Sequence, residues 1–201
     1  MISEIRDKGI RDENVLRAMA EIPRHLFLDS GFIKFAYADQ PFPIGSGQTI
    51  SQPYTVAFQS ELLQVKKRDK ILEVGTGSGY QACVLVEMGA HVYSIERQEK
   101  LFAKTKAFLP TIGYEPRLFF GDGYKGLPTF APFDKIIVTA GAPFVPQALL
   151  DQLKIGGILV IPLGEDIQIM TTFTRASDKD YQKKEHGSFR FVPLLGDKAS
   201  D

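Results

Sequence analysis

Ten residues, Ile71-Leu72-Glu73-Val74-Gly75-Thr76-Gly77-Ser78-Gly79-Tyr80, constrain this chain more than any other stretch. A short aliphatic run leads into three glycines on alternate positions, and a helical pattern follows, so the order reads as strand, tight turn and helix start. Glycines let the main chain approach a ligand closely. The helix end behind them offers unpaired N–H groups. A glycine cluster by itself can equally be a plain turn, so its meaning depends on what surrounds it.

From residue 70 onward, short β-branched runs alternate with longer amphipathic stretches, the pattern of a parallel sheet covered by helices. Strands are expected at 70–74, 91–96, 117–120, 135–139 and 158–162, and helices at 79–88, 98–109 and 145–152. The second of these helices ends before Pro110. Two weaker strands, 168–175 and 187–192, flank a polar stretch, 176–186, that reads as a turn, and they should form an antiparallel edge. Ahead of residue 70, 13–21 and 54–64 have helical spacing. Residues 35–51 are rich in Gly, Pro and aromatics and read as one long loop. Loops beyond about 12 to 15 residues are usually functional or disordered, and Phe35, Tyr37 and Phe42 argue against disorder.

The second expected strand ends at Glu96, roughly 20 positions after Gly75, the spacing at which an acid holds ribose hydroxyls. A dinucleotide site wants Gly or Ala five residues after the first glycine, where helix and strand pack closest. Here that position is Tyr80. Glu73 precedes the glycines by two, where an acid suits the cationic ammonium and sulfonium of S-adenosylmethionine and would repel a pyrophosphate. After the third strand comes Gly121-Asp122-Gly123, whose carboxylate can accept a proton from an adenine amino group. These groups all fall at the carboxyl ends of consecutive strands, the edge at which open α/β sheets bind ligands.

At 201 residues the chain suits one domain. Basic and acidic residues number 24 each, so no net field draws it to nucleic acid or a membrane surface, and neither is an expected partner. Cys83 stands alone in an apolar stretch and reads as a small buried hydrophobe. Residues 1–12 carry alternating charges with no apolar run, and nothing approaches the roughly 20 apolar residues of a membrane span. A reducing cytoplasm is therefore expected. His25, His91 and His186 lack metal-ligand spacing, so no metal site is expected.

The loop before the glycine strand contains Gly45-Ser46-Gly47-Gln48-Thr49-Ile50-Ser51-Gln52-Pro53-Tyr54. Followed by Glu73 to Tyr80, it resembles the protein-L-isoaspartate O-methyltransferase family. The resemblance runs over nearly the whole chain, through Pro23-Arg24-His25-Leu26-Phe27, Tyr37-Ala38-Asp39, Gly121-Asp122-Gly123, Ala142-Pro143, Leu153-Lys154-Ile155-Gly156-Gly157 and Arg190-Phe191-Val192-Pro193-Leu194. The Thr-Ile-Ser-x-Pro loop is its most diagnostic part. The resemblance implies a Rossmann-like class I S-adenosylmethionine-dependent methyltransferase: a mostly parallel seven-stranded sheet, helices on both faces, and N-terminal helices. It divides the single domain into helices and active-site loop (1–69), cofactor core (70–175) and edge strand with tail (176–201).

The resemblance also places the active-site serine on Ser51. Cofactor contacts fall on Gln48, Thr49, Ile50, Ser51, Thr76, Glu96, Asp122 and Gly123, beside Glu73, Gly75 and Gly77 from the glycine motif. The peptide then lies near Ser51, Pro53, Tyr54, Val192, Pro193 and Leu194. Some members have His where this chain has Tyr54. Without the resemblance, Ser51 reads equally as a loop hydroxyl or a helix cap ahead of Pro53.

On this reading S-adenosylmethionine is the methyl donor, leaving S-adenosylhomocysteine, and L-isoaspartyl proteins and peptides are the acceptors. An isoaspartyl acceptor is a carboxylate with a reference pKa of about 3.3 to 3.9, already ionised at pH 7. No general base is needed, which fits a serine without a His/Asp partner in its motif. A monomer is expected, since one enclosed site needs no second copy. The alternatives are an S-adenosylmethionine-dependent methyltransferase of another acceptor, a non-catalytic S-adenosylmethionine-binding relative that would have lost the Ser51 loop, and a dinucleotide oxidoreductase, which Tyr80 and Glu73 disfavour.

Overall fold

A computed structural model describes residues 1–199, so the last two residues of the expected 176–201 tail lie outside the described residues. The glycine motif sits in the middle of a seven-stranded sheet. Its strand, β3 (Lys70–Val74), pairs on one side with β4 (His91–Glu96), which pairs with β5 (Arg117–Phe120). On the other side it pairs with β6 (Phe133–Val138), then β7 (Leu153–Leu163). These five strands are parallel. β8 (Gln168–Arg175) and β9 (Tyr181–Phe189) continue the sheet antiparallel to β7 and to each other. The chain winds outward from β3 through β5 and then returns to β6, so the crevice between β3 and β6 is the topological switch point.

Strand alternation assigns the two layers. Ile71, Val92, Ile137 and Val160 face a core shared with α1 (Ile2–Asp7), α2 (Glu13–Glu21), α3 (Pro53–Leu63), α4 (Tyr80–Glu87) and α5 (Glu99–Phe108). Leu72, Val74, Ile95, Val138 and Ile161 face the other layer, closed by Leu149 and Leu150 of α6 (Gln147–Asp151) and by the Tyr93, Phe130 and Phe133 rings. Both faces of the central strands β3, β4 and β6 are buried, which is why they are rich in aliphatic residues on both parities.

Three expectations are corrected. Residues 35–51 are not one loop: β1 (Phe42–Gly45) and β2 (Gln48–Ile50) form a hairpin across Ser46-Gly47, whose φ values of 51° and 67° are both positive, as a type I′ turn requires. Residues 176–186 are not all turn, because β9 begins at Tyr181 and only 176–180 reverse the chain, through Ala176 N–H to the Asp180 carbonyl. β9 is a sheet edge carrying exposed Gln182, Lys183, Lys184 and Glu185, polar outward residues that discourage further pairing and hide the strand from an apolar count. Finally, β7 starts at Leu153, not residue 158, and its pairing with β6 is irregular between Leu153 and Ile158, across Gly156-Gly157. No helix among the described residues is long and apolar enough to cross a membrane.

Candidate active site

The switch point holds a cleft of about 570 Å³ at the carboxyl ends of β3, β4 and β6. Gly75 turns the chain out of β3 with φ of 100°, and a Cβ there would collide with Thr139 Oγ1. The Thr139 hydroxyl donates to the Gly75 carbonyl at 2.7 Å or the Val74 carbonyl at 3.0 Å, tying the ends of β3 and β6 together under the cleft. Glu96 ends β4 and is buried. Its Oε2 accepts from Gly77 N at 2.9 Å and its Oε1 from Gln98 N at 2.8 Å, so the carboxylate is fixed by two main-chain donors with lone pairs left for a ligand. Gln48 and Thr49 of β2 approach from one side. Val192, Pro193, Leu194 and Leu195 form a strap on the other. The strap is stitched down by Gly141 N–H to the Val192 carbonyl at 2.8 Å and Leu194 N–H to the Gly141 carbonyl at 2.7 Å.

A narrower arm adjoins this cleft and shares Thr49, Gly75, Gly77 and Thr139 with it. Ile50, Ser51, Val56, Gln59, Thr76, Ser78, Tyr80 and Gln81 complete its wall. Ser51 is half-buried and does not cap α3, whose N-cap is Gln52 with Pro53 in the first turn. Every group lining the arm is neutral at pH 7, including the Tyr80 phenol, whose pKa burial pushes up to about 12. No His, Asp, Glu or Lys lines it.

Of the residues singled out in the sequence, Gln48, Thr49, Gly75, Gly77, Glu96, Gly123, Val192, Pro193 and Leu194 meet in the cleft, and Thr49, Ile50, Ser51, Gly75, Thr76 and Gly77 in the arm. Tyr54 instead lines a separate outer groove, and Pro53 is buried at the start of α3. Asp122 stands behind Gly123, its Oδ1 accepting from Tyr124 N at 2.9 Å. Glu73 departs most from expectation. It shares the face of Ile71, lines neither cavity and is wholly buried, with Oε2 accepting from Ser94 Oγ at 2.5 Å and Oε1 unpartnered. Burial raises its pKa to about 8, Ser94 opposing and Glu96 adding to the rise. A neutral carboxyl beneath the sheet does not present a negative charge to a cation in the cleft.

Sequence reasoning passed over Thr139, Arg97 and Gln98. Thr139 had a visible signal, since it ends the strand expected at 135–139, which must stop at the same sheet edge as Val74.

The expected nucleoside fits at Glu96, which presents an anchored acid beside the main chain of Gly75 and Gly77 in the cleft wall. A parallel sheet with this cleft at its switch point, and a neutral arm opening from it, defines a Rossmann-like methyltransferase. Residues 1–199 match the family model described as protein-L-isoaspartate (D-aspartate) O-methyltransferase. The chain is 64% identical over 199 residues to the protein-L-isoaspartate O-methyltransferase of Christiangramia forsetii and 63% identical to that of Flavobacterium johnsoniae, covering 98% of this chain and 93% of each relative.

Among solved structures, one named protein-L-isoaspartate O-methyltransferase superposes with a TM-score of 0.88 at 30% identity. The match covers 97% of this chain and 65% of that longer one. A Plasmodium falciparum chain named as a beta-aspartate methyltransferase, solved in complex with S-adenosyl-L-homocysteine, gives a TM-score of 0.83 at 26% identity and 96% coverage of both chains. The chain belongs to the protein-L-isoaspartate (D-aspartate) O-methyltransferase family and, with it, depends on S-adenosylmethionine.

Proposed function

We propose that Ser51 orients the free carboxylate of an L-isoaspartyl residue, in a damaged protein or peptide, for methyl transfer from S-adenosylmethionine. The observation that carries this is the arm itself: it adjoins the donor cleft, contains Ser51 and offers no general base. An alcohol or amine acceptor would need a proton removed. A carboxylate does not, because it is ionised at neutral pH.

Glu96 would hold the ribose hydroxyls, and the main chain at Gly75 and Gly77 would face the amino acid portion of the donor. Gly123, with Asp122 behind it, would border the adenine. When bound, the cofactor supplies an electrophilic methyl on a sulfonium. The residues of the arm would hold the acceptor oxygen for in-line attack, and such positioning can supply a large part of the acceleration in a displacement of this kind. Charge disappears along the path, since anion and cation become neutral ester and thioether, so the apolar strap and hairpin help by excluding water. The following main-chain nitrogen then attacks the ester, methanol leaves, and the succinimide opens in part to normal aspartate.

In this reading the enzyme is a cytoplasmic monomer, nucleic acid is not a partner, and Ser51 forms no covalent intermediate. The test compares methyl incorporation into an isoaspartyl peptide and its aspartyl isomer, using wild type and Ser51→Ala. Labelling of the isoaspartyl peptide alone, reduced at least tenfold in the variant, is expected. Equal labelling of both isomers defeats the substrate reading, and full activity of Ser51→Ala defeats the role given to Ser51.

A further inference from the structure

Two chain segments line the donor cleft and also run beyond it. At the cleft, Gln48 and Thr49 lie across from Val192–Leu195. Further along the same segments, Gln52 and Tyr54 lie across from His186–Arg190 and bound a separate open groove of about 1210 Å³. Ser51 falls between the two on the first segment. Whatever places a side chain at Ser51 while remaining part of a polypeptide has to continue along these two segments.

The groove has a defined chemistry. Tyr54, Phe58 and Phe189 form an aromatic cluster in its wall, with Tyr54 and Phe189 stacked at 6.3 Å and 15° and Phe58 5.0 Å from Phe189. All three rings are only partly buried, and Ile167 on the rim is 52% exposed. No carboxylate side chain lines the groove among the described residues, while Arg190 does. Partly exposed aromatic rings gain by covering a further apolar side chain.

We propose that this groove receives the polypeptide flanking the acceptor residue and favours substrates with a large apolar or aromatic side chain within about three positions of it. The reach follows from the segment itself: Ser51 to Tyr54 is three residues, at most about 10 Å of extended chain. The proposal rests on the isoaspartyl reading above and adds a specificity to it. It does not depend on the sequence of the damaged protein as a whole, only on the neighbours of the damaged residue.

The experiment uses Ala-based isoaspartyl peptides carrying a single Phe at each position from three before to three after the acceptor, with wild type, Ile167→Ser and Phe189→Ala. At one or more positions Phe should lower KM about fivefold relative to the all-Ala peptide. That ratio should fall below about twofold in Phe189→Ala and decline in Ile167→Ser. Because the ratio is taken within each variant, general damage to the fold cancels.

A flat Phe scan, or a ratio preserved in both variants, overturns the proposal. So does a wild-type dimer in sedimentation velocity that Ile167→Ser dissolves, since the groove would then be an interface between copies. If no isoaspartyl peptide is methylated although S-adenosylhomocysteine binds, the parent reading fails instead, and that result is distinct from a flat scan over active peptides.

Discussion

Arg24 Nη2 donates a 2.7 Å hydrogen bond to the main-chain carbonyl of Ser51 from a fully buried position. Its Nε donates to the Ala36 carbonyl at 2.9 Å, and its guanidinium lies 4.7 Å from the centroid of the Tyr80 ring. One planar side chain therefore ties the turn ahead of the hairpin, the serine behind it and the helix of the glycine motif into a single unit. A buried cation is costly, and Arg24 Nη1 is buried without a hydrogen-bond partner, so the two carbonyls and the Tyr80 ring offset only part of that cost.

The first prediction concerns this tie. Lysine keeps the charge but is a point donor and cannot reproduce the planar fork that serves two carbonyls. Arg24→Lys should lower kcat about tenfold while leaving the affinity for S-adenosylhomocysteine within about twofold, because the cleft residues are untouched. Arg24→Ala should cost about 3 to 5 kcal/mol by leaving two buried carbonyls unpaired and a cavity behind. Steady-state kinetics and urea unfolding report the two effects, and an unchanged kcat in Arg24→Lys would show that the tie is not needed for positioning Ser51.

A second prediction follows from Glu96. Its carboxylate serves Gly77 N and Gln98 N, and any ribose hydroxyl bound to it would add further charge-assisted bonds, each worth about 1.5 to 3 kcal/mol. Glu96→Ala should weaken S-adenosylhomocysteine binding about 10- to 100-fold in calorimetry, with each tenfold step equal to about 1.4 kcal/mol. Glu96→Gln should fall between, since one amide oxygen replaces two carboxylate oxygens.

Third, Gly75 is constrained both by its φ of 100° and by the neighbouring Thr139 hydroxyl. Gly75→Ala should destabilise by about 1 to 3 kcal/mol. Adding Thr139→Ala removes the collision but not the strained φ. The double variant should therefore be more stable than the sum of the single effects by at least about 0.5 kcal/mol. Strict additivity in thermal unfolding would assign the whole cost to the backbone.

Much of this architecture could be read from the residues because the central parallel strands β3, β4 and β6 are buried on both faces and stand out as short aliphatic runs. The hairpin could not, since β2 is only three residues long and its signal reduces to Ser46-Gly47. The edge strand expected at 187–192 is present as β9, but its first half, 181–186, could not be read, since it is held by a ladder with β8 and not by any apolar pattern of its own. Glu73 illustrates a sharper limit. Its position beside the glycines was evident, but Ile71-Leu72-Glu73-Val74 is buried on both faces, so the one-residue parity that turns it beneath the sheet leaves no mark in the sequence. Arg24 posed the opposite difficulty, because a buried arginine and a solvated one are the same letter.

The last prediction belongs to Glu73 itself, whose carboxyl is buried, held by Ser94 and pushed up to about 8 by burial, with Glu96 adding to the rise. Below a pH of about 4.5, folded and unfolded chains both keep this proton, and the group costs nothing. Between about 4.5 and 8 the unfolded chain releases it while the folded chain retains it, so stability falls as pH rises, by at most about 1.4 kcal/mol per unit. Glutamine has nearly the same shape, can still accept from Ser94 and does not titrate. Glu73→Gln should therefore match wild type near pH 4.5 and become progressively the more stable of the two up to about pH 8. Urea unfolding at pH 5, 6.5 and 8 measures the gap, and a gap that stays constant with pH would place the ionised carboxylate, not the acid, inside the folded protein.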